Sequence, residues 1–180
     1  MDPFIKKIQQ IRNVEDAINE LATQTEITPK LNEIINFIIQ AHEGQYRKSG
    51  EPYCVHPILV ASITAHFSKE EAIIATALLH DVVEDTEYSL DYIKEKWGTD
   101  IAHMVDGLTK IVEIREHEFI ASNDATDSKI ISSALTFRKM LIASIDDVRV
   151  LIVKLCDRLH NMLTLSVLPI NKQRRIAEET

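Results

Sequence analysis

The sequence predicts an all-α fold, and three observations carry that expectation. Only four glycines and five prolines occur in 180 residues, poor material for the many turns of a β fold. Apolar residues recur at helical spacing through most of the chain. Polar breaks of cap and turn residues separate these apolar stretches. A chain of this length suits one domain and can bury a core without disulfides or other staples.

The elements follow in order. Ile5, Ile8, Ile11 and Val14 form one apolar stripe that predicts a first helix, ended by a polar break at Thr23–Thr28. Pro29 stands where a first helical turn tolerates proline, and Leu31, Ile34, Ile35, Ile38 and His42 share the face that follows. Gly44–Pro52 (GQYRKSGEP) is a loop, with two glycines and a proline around a basic pair. His56-Pro57 reads as the next helix start. Ser68-Lys69-Glu70-Glu71 has the pattern of a capping box, and its helix is expected to run to His80-Asp81. Ser89 can cap a short helix that stops at Gly98, and another is expected from about Asp100 to Ile114. Arg115–Asp127 is polar and irregular, a loop in this reading, and helices are expected near Ser128–Ser144 and Asp146–Leu165. The chain ends inside a helical pattern (Arg174–Thr180), which reads as the edge of a domain in a longer polypeptide.

Charge and cysteines narrow the function classes. A net charge of −8 argues against duplex nucleic acid as partner, yet leaves room for a small anionic nucleotide held by a few cations and a metal. Cys54 and Cys156 match no paired-cysteine metal motif and no disulfide framework, which suits a reducing compartment. The charged, amphipathic N-terminus holds no signal peptide or membrane span, so the expected location is the cytoplasm.

The chemistry concentrates in three places. His56 at a helix start, the pair His80-Asp81 and the distant Asp157 together offer imidazole nitrogens and carboxylates, a donor set for manganese, iron or zinc inside a helical bundle. His80 and Asp81 are adjacent, so both reach one ion only if the helix ends or bends there. Helical spacing sets Glu84 over His80 and Asp85 over Asp81, where they can orient or deprotonate a water. The plain alternative for these two acids is the solvated end of a helix before the Thr86–Ser89 turn. Asp157, Asn161 and Thr164 form one polar stripe, such as any surface helix shows. Arg47-Lys48 can stack on a base and meet phosphate, though an isolated basic loop is ordinary.

Taken together, AHEGQYRKSGEPYCVHP, ATALLHDVVEDTEYSL, WGTDIAHMVDGLTKI and VKLCDRLHNMLTL resemble the HD hydrolase domain of the RelA/SpoT family, over roughly Ile38 to Leu165. The resemblance implies an all-α HD-domain bundle with a buried divalent metal site. It implies that His56, His80, Asp81 and Asp157 bind Mn2+ and that Glu84 and Asp85 are the acidic pair for hydrolysis. Arg47, Lys48, Asn161 and Thr164 match positions that contact the guanosine nucleotide. Leu163 departs from the arginine common in the family after the methionine.

The implied activity is removal of the 3′-pyrophosphate from guanosine tetra- and pentaphosphate (ppGpp, pppGpp), with neither nucleic acid nor membrane as partner. Residues 1–180 would then be a single hydrolase domain, continuing into a synthetase in a bifunctional enzyme. Two other readings stand beside it. One is a different HD phosphohydrolase, a nucleotidase or phosphodiesterase. The other is a catalytically silent domain that senses a nucleotide.

Overall fold

The computed structural model describes residues 2–109, 147–165, 170 and 173. Among these residues the secondary structure is helical, apart from one isolated antiparallel bridge between Tyr46 and Pro52. The expected helix continuation over 110–114, the loop over 115–127, the helix near 128–144 and the chain end at 174–180 lie outside the described residues.

The expected first helix is two. α1 (Pro3–Ile8) and α2 (Val14–Gln24) are separated because Asn13 caps α2, its Oδ1 accepting from the Asp16 N–H at 2.9 Å. Local capping wins over continuation of the helix, yet the stripe still serves the core, since Ile8 and Ile11 are both buried. α3 (Pro29–Ala41) starts as expected, with Thr28 as cap and Pro29 at its first position.

α4 (Val55–Phe67) and α5 (Glu71–Leu79) are the centre of the molecule. α4 is buried from Val55 to Ala65 and α5 from Ile73 to Leu79, so both are buried all round, as interior helices are. The capping box expected at Ser68–Glu71 is not formed. Ser68 closes α4 through its N–H to Thr64 O at 2.8 Å. Glu71 turns instead to α3, accepting from Thr28 Oγ1 at 2.6 Å and pairing with Lys30 at 3.3 Å. Lys69 adds a cation where one favours a helix C-terminus, donating to Ala65 O at 2.6 Å and to Gln24 O.

A short α6 (Val82–Asp85) follows, then α7 (Leu90–Trp97), which Ser89 caps. α7 stops at Gly98, whose φ of 101° a side chain would oppose. Residues 99–109 form α8. α9 (Val148–Leu163) begins after Asp147, whose Oδ1 accepts from the Arg149 N–H at 2.9 Å. α4 packs on α2, α5 and α9, and α5 packs on α3 and α9. The start of α4, the end of α5 and the middle of α9 therefore meet.

Candidate metal centre

The elements that meet carry the chemistry. His56 lies in the first turn of α4 and Asp157 in the body of α9. α5 ends at Leu79, and α6 restarts after Asp81, so the helix does break at the His80-Asp81 pair. This break lets adjacent residues turn toward one point. One ligand atom each from His56, His80 and Asp157 lie within 4.8 Å of one another, and all three residues are buried. His56 Nε2 stands 3.3 Å from Asp157 Oδ1 and 3.5 Å from Asp81 Oδ2. His80 Nε2 is 3.0 Å from Asp81 Oδ1 and 3.8 Å from Asp157 Oδ1.

This donor set fits a divalent cation. His80 donates its Nδ1–H to Ala77 O at 2.8 Å, which turns Nε2 toward the carboxylates. Among the described residues that buried Nε2 has no well-formed hydrogen bond, only the facing carboxylates. Lone pairs of two imidazoles and two carboxylates facing one another in a buried space are costly without a positive charge between them.

Without a metal the charge is a proton. Burial pulls the His80 pKa down, but Asp81 and Asp157 outweigh it and push it up to about 9. Burial dominates at His56, lowering it to about 3, and the positive charges of Arg47 and His80 add to the effect. Asp157 is held well below the usual carboxylate range. Burial acts to raise it, and is outweighed by the Lys154 ammonium and by the imidazoles of His56 and His80 that face it.

The acidic pair is exposed beside the centre. Asp85 N–H bonds to Asp81 O at 2.9 Å, so the expected spacing of those two acids holds within the short turn of α6. Glu84 is solvent-accessible as a residue. Partial desolvation of its carboxyl and the Asp81 charge nevertheless push its pKa up to about 7, against the pull of Lys154 and His80.

The Gly44–Pro52 loop is folded back on itself by Arg47 N–H to Glu51 O at 2.9 Å and Tyr53 N–H to Gln45 O at 3.0 Å. It thereby brings Arg47 to α9, where Nη2 donates to Asn161 Oδ1 at 2.8 Å. Asn161 Nδ2 in turn donates to Asp157 Oδ1 at 2.6 Å. Lys48 lies exposed on the same loop. Thr164 is buried at the end of α9, its hydroxyl directed at the carbonyls of His160 and Asn161.

Three residues at this site escaped the sequence reading. Tyr53 sets its hydroxyl 2.8 Å from Asp81 Oδ2 and 2.6 Å from Asp85 Oδ2. Burial, first, and the two carboxylates raise its pKa, so the phenol keeps its proton. Lys154 Nζ donates to Asp157 Oδ2 at 2.9 Å. His160 meets His56 ring to ring, Nδ1 to Nδ1 at 2.8 Å. Lys154 and His160 each lie three positions from Asp157, one helical turn away, and that spacing was the available signal.

The HD-domain family model matches residues 35–180. The chain belongs to the HD-domain family. Among the curated relatives of this HD domain, a GTP pyrophosphokinase of Myxococcus xanthus is 48% identical over 141 residues, covering 78% of this chain and 18% of that protein. A guanosine-3′,5′-bis(diphosphate) 3′-pyrophosphohydrolase of Haemophilus influenzae is 45% identical over 140 residues, with 78% and 19% covered. The chain thus spans about a fifth of the length of these relatives. A solved structure described as a metazoan ortholog of SpoT that hydrolyses ppGpp and plays a role in starvation responses has the same fold. Its TM-score is 0.62 at 22% identity, with 84% of each chain covered. The sequence-level likeness to RelA/SpoT enzymes is met by these relatives.

Proposed function

We propose that this HD domain is a manganese-dependent hydrolase that removes the 3′-pyrophosphate of ppGpp and pppGpp, giving GDP or GTP and pyrophosphate. The observation that carries the reading is the buried His56–His80–Asp157 cluster, edged by Asp81, Glu84 and the Arg47–Asn161 pair. The names of the relatives supply the substrate class. In this reading the chain is the hydrolase unit of a bifunctional cytoplasmic enzyme.

His56, His80, Asp81 and Asp157 would hold the ion. Bound there, a divalent cation supplies a Lewis acid for the phosphate and lowers the pKa of a water. Glu84, with a pKa near 7, suits a group that takes up a proton at its carboxylate near neutral pH. Tyr53 restrains Asp81 and Asp85 through one hydroxyl. Arg47, held by Asn161, presents a planar cation able to stack on the guanine, while Lys48 and Asn161 would set the sugar and phosphates.

The direct test is pyrophosphate release from ppGpp with manganese and with a chelator. Manganese-dependent release of GDP and pyrophosphate is expected. No turnover by a folded, metal-loaded sample would overturn the hydrolase reading and leave a silent nucleotide-sensing domain. Turnover of other phosphoesters in its place would make the chain a different HD phosphohydrolase.

A further inference from the structure

We infer that His160 is a positioning residue for the metal centre: its bare Nδ1 accepts the Nδ1–H of His56 and so leaves His56 Nε2 free to bind a cation. The inference rests on the reading of His56 as a metal ligand.

The argument is one of hydrogen counting. A neutral imidazole has one N–H and one lone pair. His56 Nδ1 and His160 Nδ1 are 2.8 Å apart, so one of the two carries the hydrogen and the other accepts it. If His160 donated, neutral His56 would keep its own hydrogen on Nε2. That nitrogen faces Asp157 Oδ1 at 3.3 Å and Asp81 Oδ2 at 3.5 Å, and with a hydrogen on it no metal can bind.

A cation at Nε2 thus requires His56 to donate and His160 to accept. The hydrogen of His160 then belongs on Nε2, an atom that is buried and has no hydrogen-bond partner among the described residues. The same division of labour holds at His80, whose Nδ1–H goes to Ala77 O while Nε2 faces the carboxylates. Metal-bound histidines commonly need such a partner for the second nitrogen. At His80 the backbone supplies it. At His56 the partner is a side chain of α9, the helix that also brings Asp157. One helix therefore delivers a candidate ligand and the group that orients another.

The test uses the 180-residue chain with zinc, a diamagnetic probe. Nitrogen-15 NMR of the zinc-loaded wild type should show His56 protonated at Nδ1 and His160 at Nε2. By calorimetry, His160→Leu, which cannot accept, should bind zinc about 10- to 100-fold more weakly. His160→Gln, whose amide oxygen can accept, should recover most of that affinity, although both variants lose the ring. Zinc bound at His56 with His160 protonated at Nδ1, or with His160→Leu at native affinity, overturns the inference and leaves the metal reading standing. If the wild type takes up no zinc at His56, both fall together.

Discussion

On the proposed reading, a metal and a proton would compete for one nitrogen of His80. The metal-free imidazole has a pKa raised to about 9, so near pH 7 its Nε2 is protonated, while a ligand must offer a lone pair. Metal binding at pH 7 should therefore release about one proton, and apparent affinity should fall about tenfold per pH unit below 9. Calorimetry in two buffers of different ionisation enthalpy measures that proton; equal heats in both would sink the assignment. The stability of the metal-free protein carries the linked signs. His80, raised above its unfolded value, contributes stability that is present below about pH 6.5 and lost as pH rises through 9. His56, lowered to about 3, does the reverse: its contribution is lost as pH falls from about 6.5 toward 3. Glu84 tests the chemistry separately. Glu84→Gln should keep the metal and lose turnover by about 100-fold or more, as for removal of a general base. Native turnover in that variant would remove Glu84 from the mechanism. Among these residues the sequence was most legible where ligand types cluster, at His56, His80-Asp81 and Asp157. Tyr53 was hidden for a physical reason. Its hydroxyl reaches Asp81, 28 positions away, only because the loop before it folds back, and helical periodicity carries no information about that closure.

At the scale of elements, Gly107 of α8 faces Val150 of α9. A Cβ added at Gly107 would lie 3.0 Å from Val150 Cγ2. Alanine normally gains about 1 kcal/mol over glycine inside a helix. Here the buried, β-branched Val150 has one strongly preferred rotamer, so relief must come from moving α8 away from α9. Overpacking of this kind costs about 1–3 kcal/mol, which offsets or exceeds the propensity gain. Gly107→Ala should lower the unfolding free energy, and adding Val150→Ala should restore part of the difference in denaturant titrations. A Gly107→Ala single variant more stable than wild type would show that the two helices have room between them. The same competition between local preference and packing explains which elements were legible. α3, α7 and α9 start where cap residues and apolar stripes agree, at Thr28-Pro29, Ser89 and Asp147. The first helix was misjudged because the stripe Ile5–Ile8–Ile11–Val14 stays on the core side through a turn, while Asn13 restarts the backbone. The capping box was misjudged because Glu71 had a better partner on α3, invisible to a local pattern.

For the molecule as a whole, the candidate centre ties together segments that are far apart in the chain. His56 comes from α4, His80 and Asp81 from the junction of α5 and α6, and Asp157 from α9. α4, α5 and α9 pack on one another, and their apolar faces form one contiguous core. The fold should therefore persist under chelation, unlike a small domain that only its metal holds together. A cation that binds the native state alone still adds stability by mass action, about 2.7 kcal/mol at a free concentration 100 times its Kd. For a chain of this size that corresponds to a rise of roughly 5–11 °C in melting temperature. Thermal melts with manganese and with a chelator should differ by that amount in the wild type. Asp157→Ala should abolish the difference, because it removes one ligand and leaves Lys154 without its 2.9 Å carboxylate partner. It should also lower the metal-free melting temperature for the second reason. Wild-type melts that coincide under the two conditions would mean that no cation bridges the three segments. A manganese-dependent rise that survives in Asp157→Ala would place the ion elsewhere on the molecule.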